Sequence, residues 1–275
     1  MDKPFVVFLN EAQTYTLHVA PTQEALLPLA ASAVVFCARK AIERRGVFHW
    51  ALSGGNTPRA LYALLAAPPY AEQIDWSRTH LWWSDERTVP PDHPDSNFGM
   101  ARQAMIEKVT IPPANVHRVP TELEPDVAAA CYETDLRQAL DLGEHGRARF
   151  DLILLGMGED GHTASLFPET PALDVQDRLV VANPVPKLHT TRITFTYPLI
   201  NAADTVIFLV TGATKALALR QVLLGDWRPK HLPAQAVLPA TGKLMWMCDA
   251  AAAAQVTPTP GYPQTEVIYR RLPSL

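Results

Sequence analysis

The segment Asp151–Pro168, DLILLGMGEDGHTASLFP, joins an apolar run to a glycine-rich polar loop. The run Leu152–Leu155 is short enough to be a buried strand. Gly156, Gly158 and Gly161 follow it, and glycines at such a place let a ligand approach the backbone closely. Since ligands in open α/β sheets bind beyond the carboxyl ends of the strands, this segment predicts a strand that leads into a ligand site.

Two side chains of this loop, His162 and Asp160, indicate chemistry at that site. A histidine beside a carboxylate is typical of a general base, and its ordinary pKa of about 6.5 predicts an ionisation near neutrality. The carboxylate would raise this pKa and burial would lower it. The alternative is a plain glycine turn with a surface histidine. Gly-x-Gly-x-x-Gly also fits a dinucleotide fingerprint, but no acidic residue ends a second strand about 20 residues later.

The composition narrows the class of protein. The chain has 275 residues, a net charge of −4 and no basic tract, which argues against a nucleic-acid partner. Its length is compatible with two domains, but also with one α/β domain over residues 1–275, which we expect. Cys37, Cys131 and Cys248 lack the spacing of metal ligands and are expected to be reduced thiols.

The chain carries no pattern of export or of membrane insertion. The N-terminal residues MDKPFVVFLN lack the features of a secretory signal. The longest apolar stretch, Leu26–Ala38, is too short to span a bilayer. We therefore expect a cytoplasmic protein without a membrane partner.

Strand and helix patterns alternate along the chain. Apolar runs predict strands over 5–9, 15–19, 49–52, 80–83, 115–119, 152–155, 179–182, 192–197, 205–210 and 244–248. Capped or amphipathic segments predict helices over 22–45, 59–66, 96–109, 125–141 and 215–224, with a short helix after Asp249. Such alternation predicts a mostly parallel sheet covered by helices on both faces.

Polar clusters follow four of the predicted strands, namely SGGNT at 53–57, DER at 85–87, EDGH at 159–162 and TGATK at 211–215. Glycines before a helix suit a phosphate, because backbone N–H groups at a helix N-terminus bind anions. A lysine in the first turn of a helix opposes the helix dipole, which favours a bound anion nearby. Plain turns, a paired surface cluster and a solvated lysine are the ordinary alternatives. Because the ends of parallel strands can meet at one edge, we expect the clusters to form one site.

Taken together, these stretches resemble the 6-phosphogluconolactonase family, within the wider glucosamine-6-phosphate isomerase group. The matching segments are SGGNTP at 53–58, WWSDERTVP at 82–90 with Ser96-Asn97 after it, GMGEDGHTASLFP at 156–168, and TGATKA at 211–216. The resemblance implies a Rossmann-like three-layer α/β/α fold with a mostly parallel sheet, of the NagB/RpiA/CoA transferase-like type.

The resemblance also implies an activity, the hydrolysis of 6-phospho-D-glucono-1,5-lactone to 6-phospho-D-gluconate in the oxidative pentose phosphate pathway. It implies no cofactor and no metal, and its partner is a small phosphosugar lactone. The implied catalytic residues are His162, Arg87, Asp160 and Asp85. The implied substrate-binding residues are Ser53, Gly54, Gly55, Asn56, Thr57, Lys215 and Arg192.

Each implied residue has a chemical role in this reaction. His162 would take a proton from the attacking water, and Asp160 would orient its ring. Arg87 would stabilise the developing oxyanion or bind the sugar hydroxyls. The phosphate would lie on residues 54–57 with Lys215 neutralising it, and Arg192 would be a further cation there.

Alternatives from other classes stay open. An aminosugar-phosphate isomerase or deaminase would use Asp85 as a carbon base, but those enzymes carry a Glu where this chain has Phe167. They also lack an arginine at the place of Arg87. A non-catalytic sugar-phosphate sensor would use the same pocket for regulation, and a nucleotide-binding oxidoreductase is a more distant alternative. We expect a monomer or a weak homo-oligomer.

Overall fold

Strands and helices alternate along the chain. The structure is a computed structural model that describes residues 5–9, 13–140 and 149–256. The strands are β1 (Phe5–Leu9), β2 (Gln13–Ala20), β3 (Phe48–Leu52), β4 (Thr79–Trp83), β5 (Asp85–Arg87), β6 (Leu152–Leu155), β7 (Val180–Val185), β8 (Thr190–Phe195), β9 (Thr205–Val210) and β10 (Lys243–Asp249). The helices are α1 (Gln23–Arg45), α2 (Asn56–Leu65), α3 (Asn97–Ala104), α4 (Pro125–Ala139), α5 (Tyr197–Ile200) and α6 (Ala216–Leu224).

The main sheet has seven strands in the order β1-β2-β10-β9-β6-β3-β4. Every neighbouring pair is parallel except β1 and β2, which form an antiparallel hairpin at one edge. From β3 the chain moves outward to β4, and it later returns to β6 on the other side of β3. A reversal of this kind opens a crevice at the carboxyl ends of β3 and β6, which is where open α/β sheets bind ligands.

Helices cover both faces of the main sheet, and the central strand β6 shows why. Leu152 and Leu154 belong to the core under α1, α2 and α3, whereas Ile153 and Leu155 belong to the core under α4 and α6. Successive side chains of a strand point to opposite faces, so a continuous apolar run serves both cores. The predicted three-layer α/β/α arrangement is confirmed.

A second, three-stranded sheet is antiparallel, in the order β5-β8-β7. The segments predicted as strands over 179–182 and 192–197 belong to this sheet and not to the parallel one. The strand β8 ends at Phe195, because Tyr197 and Pro198 begin α5. Residues 85–87, predicted as a polar cluster at the end of the strand over 80–83, pair with β8 as a short strand of their own.

Two other predicted elements are wrong. Residues 115–119 are not a strand, because the turn Pro113–Asn115 begins with a proline and only Val116 forms an isolated bridge, to Leu81. The helix predicted after Asp249 is a series of turns. The carboxylate of Asp249 does accept the N–H of Ala252, at 2.7 Å, as a helix cap would.

The ends of α3 and α4 differ from the predicted helix boundaries. The helix predicted over 96–109 ends at Ala104, and a separate 3-10 turn, Ile106–Lys108, follows it. Its start is as expected, since Oγ of Ser96 accepts the N–H of Gly99 at 3.0 Å. Helix α4 runs over Pro125–Ala139, and the last predicted residue, 141, lies outside the described residues.

Helix α1 contains the longest apolar stretch of the sequence. It begins at the cap Thr22 and ends at Gly46, as predicted. In the described part of the chain it is the one helix that is long and apolar enough, by length and composition alone, to cross a membrane. The short length of the apolar stretch Leu26–Ala38 therefore does not by itself distinguish a core helix from a membrane helix. Leu26, Val34 and Ala38 are fully buried in the core, and the core helix of a globular protein passes the same test.

Candidate active site

Four neighbouring strand ends open into one cavity of about 390 Å³. The strands β9, β6, β3 and β4 are adjacent in the sheet, and each leads into one of the predicted polar clusters. One residue from each cluster shows the convergence, since Gly55, Asp85, His162 and Lys215 all line the cavity. The structure thus brings the four clusters together at the topological reversal of the sheet.

The ring of His162 is held by Asp160. Nδ1 of His162 lies 2.6 Å from Oδ1 of Asp160, and that oxygen also accepts the backbone N–H of His162 at 3.2 Å. An ionised carboxylate only accepts hydrogen bonds, so Nδ1 carries the proton and Nε2 keeps its lone pair. Gly158 leaves the room for this pair, because a Cβ atom there would lie 2.0 Å from Nδ1.

The glycines of this loop do not form a dinucleotide site. That fingerprint requires a helix directly after the glycines, so that its N-terminus meets the pyrophosphate. Residues 156–168 contain turns and a bridge between Thr163 and Leu166, with no helix. Gly161 has a φ of 76°, which favours glycine for conformational reasons.

Burial controls the ionisation of His162. Loss of hydration is the main cause that lowers its pKa to about 4. Asp85 acts in the opposite direction, and the cations of the cavity add to the lowering. The ring is therefore neutral at pH 7. The ionisation near neutrality that the sequence predicts is wrong for the free protein, because burial and the cations of the cavity outweigh the attraction of Asp85.

Two arginines lie side by side on neighbouring strands of the small sheet. Arg87 of β5 is the register partner of Arg192 of β8, and both line the cavity. Within the described residues, Nε of each is buried without a hydrogen-bond partner. Burial, and then the charge of Arg87, lower the pKa of Arg192. Since like charges directly opposite each other are destabilising, this pair favours a negatively charged ligand.

The carboxylate of Asp85 is fixed by neutral donors. Its Oδ2 accepts the hydroxyl of Ser165 at 2.7 Å, and its Oδ1 accepts Nδ2–H of Asn97 at 3.4 Å. The same amide group of Asn97 donates to the backbone oxygen of Asp85 at 2.9 Å. The next residue, Glu86, is not at the cavity. Its carboxylate accepts two backbone N–H groups at the start of α3, each at 2.8 Å. Alternation along β5 explains the difference, because Asp85 and Arg87 lie on one face and Glu86 on the other.

The loop after β3 ends at the N-terminus of α2. Gly55 is the residue before the helix, with a φ of 107°, and it lines the cavity together with Gly54 and Ser53. Gly54 has no room for a side chain, because a Cβ atom there would lie 1.9 Å from Oδ1 of Asn97. The cavity is therefore bordered by bare backbone at a helix N-terminus, which is a typical phosphate site.

Not every predicted site residue reaches the cavity. Asn56 and Thr57 belong to the first turn of α2, which begins three residues before its predicted start at 59. Oγ1 of Thr57 instead forms a hydrogen bond of 2.7 Å with Oγ1 of Thr211. Asp160 also lies outside the lining and acts on the cavity through the ring of His162.

The structure adds residues that the sequence reasoning missed. Lys187 and Leu188 enter the cavity from the turn between β7 and β8, and no sequence pattern marks that turn as part of a site. Ser165 and Asn97 belong to the segments that carry the family resemblance, but no sequence pattern predicted that they contact Asp85. In the described part of the chain, no group of three or more His, Cys, Asp or Glu side chains could hold a metal ion.

Comparison with known proteins supports the sequence resemblance. A family model described as glucosamine-6-phosphate isomerases/6-phosphogluconolactonase matches residues 21–246. The chain belongs to this family. A 6-phosphogluconolactonase from Nostoc sp. is 44% identical over 243 residues, which are 88% of this chain and 98% of the relative. One from Synechocystis sp. is 46% identical over 220 residues, or 80% of this chain and 89% of the relative.

Solved structures agree with the fold. The 6-phosphogluconolactonase from Trypanosoma brucei has a TM-score of 0.78 at 26% identity, covering 89% of this chain and 100% of that one. A monomeric glucosamine-6-phosphate deaminase of the NagB superfamily has a TM-score of 0.71 at 20% identity. The second likeness shows the fold alone. The predicted family and the predicted NagB-like fold are both confirmed.

Proposed function

We propose that this protein hydrolyses 6-phospho-D-glucono-1,5-lactone to 6-phospho-D-gluconate, the second step of the oxidative pentose phosphate pathway. The observation that carries the proposal is a neutral, partly buried His162 in a cavity lined by four cations, Arg87, Arg192, Lys187 and Lys215. Within the described residues, one carboxylate lines the same cavity. A neutral base amid an excess of positive charge suits an anionic substrate that is attacked by water.

The phosphate would bind where two helix N-termini approach the cavity. Gly54 and Gly55 offer backbone N–H groups at the start of α2, and Lys215 stands just before α6. Lys215 is only weakly paired within the protein. Its Nζ lies 4.0 Å from Oε1 of Glu159, and the Glu159 side chain is 63% exposed, so water screens the pair. A dianionic phosphate there gains the helix dipoles and the ammonium charge together.

The reaction needs a base, a nucleophile and a donor to the oxyanion. Nε2 of His162 takes a proton from water, and the water oxygen attacks the lactone carbonyl carbon. Arg87 stabilises the negative charge that grows on the carbonyl oxygen, and its Nε is free of other hydrogen bonds among the described residues. Asp85 raises the pKa of His162 and so stabilises the imidazolium that forms.

The second half of the reaction opens the ring. The bond between the carbonyl carbon and the ring oxygen breaks, and the imidazolium of His162 returns its proton to that oxygen. The new carboxylic acid ionises at neutral pH, so one proton is released for each lactone. Every step uses water and side chains of this chain, and the proposal involves no cofactor.

The isomerase or deaminase alternative has less support. By the family resemblance, those enzymes carry a Glu at the position of Phe167. Here the Phe167 ring stacks on His162 with centroids 4.1 Å apart, so an aromatic side chain occupies that place. Arg87, which the isomerases lack, is part of the cavity.

Proton release from freshly made 6-phosphogluconolactone tests the proposal, after subtraction of the spontaneous hydrolysis. We expect catalysed release that disappears in His162→Asn, and no turnover of glucosamine 6-phosphate. Turnover of glucosamine 6-phosphate without lactone hydrolysis would instead establish an isomerase or deaminase. Tight binding of 6-phosphogluconate with turnover of neither compound would establish a sensor.

We further propose a single α/β domain, a cytoplasmic location and a monomer or weak homo-oligomer. The free state of Cys37, Cys131 and Cys248 supports a reducing compartment. The net charge of −4 speaks against a nucleic-acid partner. Sedimentation at several protein concentrations and microscopy of a tagged chain would test the oligomeric state and the location.

A further inference from the structure

Lys187 lies at the turn Pro186–Leu188, which joins β7 to β8 and ends at His189 with a φ of 48°. Its ammonium group makes two contacts at the mouth of the cavity. Nζ forms an ion pair with Oδ2 of Asp160, and it lies 4.9 Å from the centroid of the Phe167 ring. An ammonium group paired with a carboxylate is a charge-assisted interaction, and 4.9 Å to a ring centroid is within the range of a cation–π interaction.

The two partners of Lys187 are also the two partners of His162. The other oxygen of Asp160, Oδ1, receives Nδ1–H of His162 at 2.6 Å. The ring of Phe167 stacks on the His162 ring, with 4.1 Å between centroids and 23° between planes. Lys187 thus contacts both of the side chains that hold the imidazole.

We propose that Lys187 is a positioning residue of this site, which holds Asp160 against Nδ1 of His162 and so presents the free Nε2 to the cavity. A carboxylate two residues from a histidine, in a glycine-rich turn, has other rotamers available to it. The ammonium group favours the one in which Oδ2 points to the β7–β8 turn and Oδ1 to the imidazole. The inference rests on the proposed role of His162 as the base.

The charge of Lys187 has a second effect. An uncompensated carboxylate next to Nδ1 would stabilise imidazolium and so make the ring a poorer acceptor at a given pH. Lys187 offsets that carboxylate locally. The other charged groups around His162 are Asp85 and Arg87 on β5, Arg192 on β8 and Lys215 before α6, and a change at Lys187 leaves all of them in place.

Removal of the ammonium group by Lys187→Met tests the proposal, with Lys187→Arg as the conservative variant. The Lys187 side chain is 51% exposed, so folding is not at stake. The control is Lys230→Met, which breaks an exposed pair with Asp174, 3.1 Å long, outside the cavity. Both kinetics with the lactone and 15N shifts of the His162 ring without substrate are measured as a function of pH.

We expect Lys187→Met to raise the pKa of His162 by about one unit, since an opposite charge nearby is worth about 1–3 units. The kcat should fall about tenfold, as the positioned base contributes about 10²–10⁴ and Lys187 acts only through it. The KM should stay within about twofold, and Lys187→Arg should recover most of the kcat. In an Asp160→Asn background, Lys187→Met should change neither quantity.

Several outcomes would overturn the inference. The first is a parental kcat together with parental ring shifts in Lys187→Met. The second is a loss of kcat in Lys187→Met that adds fully to the loss in Asp160→Asn. The third is a raised KM with an unchanged kcat, which would make Lys187 a substrate ligand. The ring shifts are read without substrate. If the parent protein fails to hydrolyse the lactone, the proposed function falls, while the effect of Lys187 on the His162 ring is still decided.

Discussion

Replacing His162 with asparagine should abolish most lactone hydrolysis while leaving substrate binding intact. Asparagine is close in size and retains an N–H that can reach Asp160, but it cannot accept a proton from water. The proposed phosphate contacts lie at the ends of β3 and β9, on either side of this loop, and do not include the His162 side chain. We therefore expect kcat to fall by about 10²–10⁴-fold, the usual contribution of a positioned base, with KM nearly unchanged.

The structure also sets the pH at which the base should fail. With a pKa of about 4, His162 is neutral in nearly all molecules between pH 5 and pH 7. From that value, kcat/KM should change by only about 1.1-fold over this range, whereas an ordinary histidine with a pKa of about 6.5 would give about 25-fold. The sign follows from burial, which disfavours the charged form and so moves the loss of activity to lower pH.

The assay is proton release at several pH values, corrected for spontaneous hydrolysis, together with a 15N titration of the His162 ring in the free protein. The substrate phosphate has its own ionisation near pH 6, and that step should persist in His162→Asn. A 25-fold decline from pH 7 to pH 5 that coincides with the ring titration would refute the argument from burial. Near-parental turnover in His162→Asn would refute the assignment of the base.

Three further changes test other parts of the site. Lys215→Ala should raise KM for the phosphorylated lactone at least about tenfold, and plain gluconolactone should be a poor substrate for the parent; equal hydrolysis of both lactones would reject the phosphate site. Arg87→Lys should lower kcat by about 10²-fold, since a point charge does not replace a planar fork, and a change confined to KM would reassign Arg87 to ground-state binding. Gly54→Ala should impair both kcat and the urea midpoint, because its Cβ would lie 1.9 Å from Oδ1 of Asn97, and parental values in both measurements would contradict that contact.

Local patterns were sufficient for most of the fold and for the location of the site. The run Leu152–Leu155 and its glycines show a buried strand and a ligand loop directly, because strand periodicity and glycine spacing are properties of neighbouring residues. The cap Thr22 and the stop at Gly46 bound α1 as predicted, since both act within one helical turn. Adjacent parallel strands then bring their loops to one edge.

Long-range packing determined what the local patterns did not contain. Whether 192–197 belongs to the parallel sheet depends on its partners β5 and β7, which are distant in sequence. Lys187 reaches Asp160 for the same reason, across 27 positions of the chain. The pKa of His162 needed the structure most of all, because the partial loss of hydration that lowers it results from tertiary packing around the ring. Residue types thus set which groups are available for chemistry, and tertiary burial and charge set the state in which they work.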